Sequence, residues 1–255
     1  MISASEKLDF EKNGFLIVRQ FAAKAECEGM LRELVNAIDE DQRTRPDVFD
    51  AGMVHNCFIR GPMMLRHLDS VQLREATNDL LCKHAIVYAF QSSSLAPGQG
   101  NFGSRVHVDS PRFIPGYRTN LGYILALQDF TKDNGATYVL PGSHRMPEKP
   151  SDAKFFAGAV QLECQMGDAI FFDARLWHAA GSNKTQDWRH GLTINFCRPY
   201  MRTRFDFPKL IALHGSDIQL EESARAFLGY DVRMPASLEE FYVPEDLRLY
   251  KPGQE

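Results

Sequence analysis

Two His-x-Asp pairs occur in the 255-residue sequence, His67 with Asp69 and His107 with Asp109, and an imidazole next to a carboxylate is the beginning of a metal site. With eight histidines in the chain, one or two such pairs are expected by chance, so the backbone has to decide between them. The first pair lies in MLRHLDSVQLREATNDLL, where Leu65, Leu68, Leu73, Leu80 and Leu81 recur in a mostly helical pattern. On a helix, residues two apart point to nearly opposite sides and cannot grip one ion. The second pair lies in VHVDSPRF, where Val106 and Val108 flank His107 in the β-branched manner of a strand. On a strand, residues two apart point the same way, so His107 and Asp109 would share one face.

A facial triad of two histidines and one carboxylate suits iron chemistry because it leaves three coordination positions open. The second histidine must come from a distant segment. His55, His84 and His214 lie in helical or irregular sequence, His144 at a turn, His190 at the head of a strand, and His178 at the end of the apolar run GDAIFFDARLWH. Eleven residues after His178 comes Arg189, which opens a strand alternating Leu192, Ile194 and Phe196 against Gly191, Thr193, Asn195 and Cys197. Arg189 has the parity of the more polar face. In a jelly roll that face can line the cavity, and an arginine there offers a permanently charged fork for a carboxylate.

The elements that would carry these residues are legible as a change of character along the chain. Residues 6 to 20 read as a short amphipathic helix running through the Asn13-Gly14 turn into a strand at Phe15 to Val18. A second helix follows over residues 22 to 40, with Leu31, Leu34, Val35 and Ile38 at helical spacing. From residue 85, short β-type runs such as AIVYAFQSSSLAP, TNLGYILALQDF, ATYVLPGSH and AVQLEC alternate with Gly, Pro, Asn and Asp. After Pro199 the sequence is mixed helical and irregular. The fold expected is mainly β with flanking helices: an eight-stranded double-stranded β-helix, or cupin-like jelly roll, with a β core of about residues 85 to 200. The N-terminal helices would pack on one sheet, and the segment after Tyr200 would cover the pocket mouth. No repeat or linker divides the chain, so residues 1 to 255 read as one domain.

Composition narrows the function. A formal charge of -4 and 24% charged residues give no bulk attraction to nucleic acid or to an anionic membrane, which points to a small-molecule partner. The start, MISASEKLDFEKNGF, has charges where a signal peptide needs an apolar run, and no segment reaches the roughly 18 apolar residues of a membrane span. The expected location is cytoplasmic. Five scattered cysteines without C-x-x-C suggest reduced, packed thiols and no thiolate zinc site.

Three blocks resemble the phytanoyl-CoA dioxygenase family of iron(II)- and 2-oxoglutarate-dependent oxygenases: HVD at 107–109, DNGATYVLPGSH at 133–144, and GDAIFFDARLWHAAGSNKTQDWRHGLTINFCRP at 167–199. The opening FEKNGFLIV is similar to that family's start. The resemblance implies that His107, Asp109 and His178 hold Fe(II), that Arg189 holds the distal carboxylate of 2-oxoglutarate, and that Thr137 helps hold this cosubstrate. It also implies dioxygen as the second cosubstrate, with hydroxylation as the default outcome and release of succinate and CO2; because no basic cluster suited to the phosphates of an acyl-CoA stands near the site, the substrate expected is a small metabolite or natural-product intermediate. Asp109 stands where halogenating relatives carry a small residue, which argues against halogenation. Where several members carry a bulky aromatic in the strand before NGA, this chain has GYILAL.

Gln91, Arg105 and Asn195 are further candidates for substrate contacts: Gln91 on a strand running toward the pocket, Arg105 on the face of His107, and Asn195 on that of Arg189. Two other classes share parts of this pattern. A cupin-type metal-dependent isomerase would use the ligands without needing Arg189, and a non-catalytic ligand-binding jelly roll would share the fold without turnover.

Overall fold

The computed structural model describes residues 2–47, 52–98, 102–214, 218–232 and 234–247. The chain enters through helix α1 (Ala4–Asn13), whose N-terminus is closed reciprocally by Ser3 and Glu6 and whose C-terminus ends at Gly14 in the left-handed conformation (φ 82°). Strand β1 (Phe15–Val18) follows at once, then α2 (Lys24–Thr44). The stripe that α2 buries is Cys27, Met30, Leu34, Ala37 and Ile38, whereas Val35 is exposed. Of the four residues expected on the buried face, Leu34 and Ile38 are buried and Leu31 packs partly buried against the core, while Val35 lies outside the stripe.

The region read as one helical pattern around His67 is broken into α3 (Pro62–Arg66), a single turn over His67–Asp69, and α4 (Val71–Leu80), which Ser70 caps. His67 and Asp69 point to separate tasks. The His67 ring bridges Glu26 Oε1 (3.0 Å) and Tyr123 Oη (2.8 Å) inside the core, while Asp69 accepts the backbone N–H of Ala224 (2.8 Å). The pair is thus structural. Replacing His67 by Ala strands a buried phenol and a carboxylate, so His67→Ala is expected to cost about 1–3 kcal/mol in denaturant unfolding, with Co(II) binding unchanged.

The remaining strands are β2 (Ile86–Ser92), β3 (Asn120–Ala126), β4 (Thr137–Val139), β5 (Val160–Leu162), β6 (Ala169–Asp173), β7 (His178–Ala179) and β8 (Gly191–Cys197), with α5 (Asp152–Gly158) between β4 and β5. They form a five-stranded sheet in the order β1-β6-β3-β8-β2 and a three-stranded sheet β5-β4-β7, with every pairing antiparallel. This is the jelly-roll architecture, with β1 added from the N-terminal segment. Period-2 alternation explains why β3 is buried along its whole length. Tyr123 and Leu125 face the helices together with Phe171, Ile194 and Phe196, whereas Ile124 and Ala126 face the other sheet together with Phe172 and Val139.

After β8 come α6 (Phe207–His214), α7 (Glu222–Phe227) and α8 (Leu238–Phe241). Phe207, Ala224 and Phe227 are buried in the same core as the N-terminal helices, so this part of the C-terminal flank is anchored by packing. Phe205, Leu210 and Ile218 line a cavity of about 720 Å³.

Candidate metal centre

The extended segment carrying His107 and the first residue of β7 are joined as a single antiparallel bridge. His107 N donates to His178 O and His178 N to His107 O, both at 3.0 Å. Cross-strand partners present their side chains on one side, and the two imidazole centroids lie 4.2 Å apart. The strand expected at VHVD is therefore reduced to one bridge, because a bend at Arg105 precedes it and Pro111, which lacks an N–H, follows. The outcome for the side chains is unchanged: Asp109 Oδ1 lies 3.6 Å from His107 Nε2 and 3.7 Å from His178 Nε2. The donor atoms of the three residues all fall within 4.8 Å of one another.

Each imidazole is fixed by the carbonyl two residues before it. Nδ1 of His107 donates to Arg105 O (2.7 Å) and Nδ1 of His178 to Leu176 O (2.9 Å), which turns both Nε2 atoms toward Asp109. Burial, and then the neighbouring His107, push His178 down to about 4, so at neutral pH it is the uncharged imidazole that a metal requires. Burial acts on Asp109 in the opposite sense, but the hydrogen bond from His107 and the two imidazoles outweigh it and hold the carboxyl below its ordinary value. His107 is likewise pushed down by burial, yet it ends above its usual value because Asp109 faces it. A cation seated among the three would take the place of that proton. Two neutral nitrogens and a carboxylate oxygen are a donor set that fits a first-row divalent metal with open positions.

Phe172 supports the site from β6, its ring lying edge-on to His178 with centroids 5.0 Å apart. That ring rests directly on Gly122 of β3, where a Cβ would overlap it. Gly122→Ala is therefore expected to push Phe172 onto His178, weakening Co(II) binding about tenfold and lowering stability by about 1–3 kcal/mol, as read by metal titration and urea melts.

Arg189 is 1% exposed. Its backbone is held by Leu95 on both sides, and its guanidinium is spent on neutral groups: Nη1 on Ser93 O (3.1 Å) and Nη2 on Gly135 O (3.3 Å), with the plane over the Phe130 ring at 4.4 Å. Nε has no hydrogen-bond partner, and no carboxylate forms an ion pair with Arg189, among the described residues. Burial lowers its pKa only to about 10, so it remains charged at neutral pH. An unneutralised cation in the core is costly without a partner, and its chemistry fits a buried dicarboxylate.

A small cavity of about 80 Å³ lies against the triad, and its walls include Gln91, Ser93, Ile124, Thr137 and Thr193 beside His107, Asp109 and His178. Arg189 stands one residue behind this wall, at Ser93. Thr137, the first residue of β4, is on the wall, as is Gln91, whose Oε1 accepts from Arg204 Nη1 (3.1 Å). Ile124, within the GYILAL strand, is also on the wall. Asn195 faces the triad rather than the cavity wall, with its Nδ2 3.3 Å from Asp109 Oδ2. The Arg105 side chain is exposed, and what this residue brings to the centre is its carbonyl. Phe172, Met53 and Asn120 were missed by sequence reasoning. The parity of TNLGYILAL could have placed Asn120, but nothing local marks Phe172 or Met53. Met53 also lines the 720 Å³ cavity, which therefore adjoins the metal pocket.

A jelly roll with this donor set at its centre is the architecture of the cupin-like non-haem dioxygenases. The chain belongs to the phytanoyl-CoA dioxygenase (PhyH) family, which it matches over residues 10–191. An uncharacterized protein of Mycobacterium tuberculosis is 37% identical over 155 residues, covering 60% of this chain and 56% of the relative. This chain therefore spans little more than half the length of that relative. The dioxygenase sphC of Aspergillus fumigatus is 24% identical, over 89% of this chain and 67% of its own length. Among solved structures, EctD from S. alaskensis with 2-oxoglutarate and 5-hydroxyectoine shares the fold, with a TM-score of 0.66 at 20% identity over 77% of this chain and 76% of that one. Among the described residues no helix is long and apolar enough to cross a membrane.

Proposed function

We propose that the chain is a single-domain, cytoplasmic Fe(II)- and 2-oxoglutarate-dependent dioxygenase that hydroxylates a small metabolite or natural-product intermediate, with release of succinate and CO2. The observation that carries this reading is the juxtaposition of a three-donor cluster with a fully buried arginine that has no counter-ion among the described residues. His107, Asp109 and His178 would hold the metal, Arg189 the far carboxylate of 2-oxoglutarate, and Thr137 would flank that cosubstrate. When bound, the iron supplies the dioxygen and C–H chemistry that side chains cannot. The protein's own contribution is placement. The Arg105 and Leu176 carbonyls hold both Nε2 atoms at the site, and Arg189 anchors the cosubstrate at one end so that its keto acid end faces the triad. Gln91 stands on the substrate side of the wall, next to the larger cavity, whose volume suits a small organic molecule.

An isomerase of the cupin type would need no buried arginine. The discriminating experiment is an anaerobic titration with Fe(II) and 2-oxoglutarate, monitored for the weak visible charge-transfer band of a keto acid chelated to iron. The band is expected in the wild-type protein. Its absence while metal is demonstrably bound would overturn the cosubstrate assignment.

A further inference from the structure

Asp109 uses its two oxygens differently. Oδ1 faces both Nε2 atoms, at 3.6 and 3.7 Å, whereas Oδ2 is turned to Asn195 Nδ2 at 3.3 Å. A side-chain amide can present either its oxygen or its nitrogen, and an oxygen toward a carboxylate would repel it. What fixes the Asn195 amide is a second one: Asn120 Nδ2 donates to Asn195 Oδ1 at 2.9 Å. The two asparagines are diagonal neighbours across the β3–β8 pair, since Asn120 stands opposite Cys197 and Asn195 opposite Gly122.

Both are almost fully buried, at 4% and 7% exposure. Asn120 Oδ1 has no hydrogen-bond partner among the described residues. A buried acceptor left unmade is a standing cost that a leucine of similar size would not carry, so the position is held by what its N–H does. That N–H points to one place.

We infer that Asn195 and Asn120 are positioning residues that hold Asp109 as a one-oxygen metal donor. Asn195 occupies Oδ2, and Asn120 locks the Asn195 amide in the orientation that can do so. A carboxylate free to rotate would offer both oxygens to the metal and fill a coordination position that a chelating keto acid or dioxygen needs. Asn195, a candidate substrate contact by its strand parity, thereby acts on the metal through Asp109. The inference rests on the metal reading of the triad proposed above.

The test uses Co(II) as the probe, with no turnover required. Wild-type protein is expected to bind Co(II) with a visible d–d spectrum. Asn195→Leu should bind it about tenfold more weakly, because the carboxylate loses the hydrogen bond that orients it, and with lower band intensity, as the second carboxylate oxygen adds to the coordination number. Asn120→Leu should move both readouts in the same direction but less far, and it should add nothing in the Asn195→Leu background because it acts only through that amide. If Asn195→Leu fails to give a wild-type-like thermal transition, Asn195→Ala, which introduces no new contact, replaces it in the same cycle. Unchanged affinity and spectrum in a folded Asn195 variant would overturn the inference, as would an Asn120→Leu effect that persists without Asn195. Wild-type protein that bound no Co(II) would instead overturn the metal reading itself, and this inference with it.

Discussion

Arg189→Met is expected to raise the 2-oxoglutarate concentration needed for half-maximal cosubstrate consumption by about 100-fold or more, corresponding to roughly 3 kcal/mol for one buried charge pair lost. Methionine keeps most of the volume and the contact with Phe130, so the loss isolates the charge. A second consequence has the opposite sign. Without cosubstrate, the guanidinium is a fully buried cation bonded only to neutral oxygens, with burial already lowering its pKa to about 10. Replacing it by an apolar group of similar size should leave the cosubstrate-free protein equally or more stable, while the thermal shift induced by 2-oxoglutarate disappears. A large fall in the stability of the cosubstrate-free variant, with the 2-oxoglutarate requirement unchanged, would make Arg189 a structural residue.

His178→Ala is expected to lower Fe(II)-dependent 2-oxoglutarate consumption by at least about 10³-fold and to abolish the charge-transfer band, because two remaining donors cannot hold the metal in a defined geometry. The same variant removes a side chain that faces both the other two donors and Phe172. Its fold should nonetheless survive. The bridge between residues 107 and 178 is made by backbone groups, and both of its hydrogen bonds remain available to alanine. Equilibrium dialysis against Fe(II), with circular dichroism as the control for folding, separates loss of metal from loss of structure. Retained stoichiometric metal in a folded His178→Ala protein would move the centre elsewhere.

Much of this was legible along the chain because its signals are local. Val106 and Val108 around His107 marked an extended segment with its imidazole and carboxylate on one side, and the Leu192–Ile194–Phe196 alternation placed Thr193, Asn195 and Arg189 on the opposite face of β8. Both signals survived folding even where the regular strand did not, since side-chain direction depends on extended backbone and not on the length of the ladder. The jelly roll was legible for the same reason, as short β runs with turn residues between them. The identity of the third donor was not: from periodicity alone, His144, His178 and His190 stood level, and only the resemblance to a family singled out His178.

Composition, periodicity and parity determined the kind of fold and which residues share a face. Only the tertiary structure decided which faces meet. His67 has the same two-residue spacing to an aspartate as His107, yet it is consumed by Glu26 and Tyr123 because α2 and β3 converge on it. Arg189 could have paired with Asp187 at the surface, but its backbone is bonded to Leu95 and its side chain is buried with no acid paired to it among the described residues. The Asn120–Asn195–Asp109 chain and the Phe172–Gly122 contact join residues 50 to 86 positions apart. Such contacts depend on strand order and register, which long-range packing selects and no local spacing encodes.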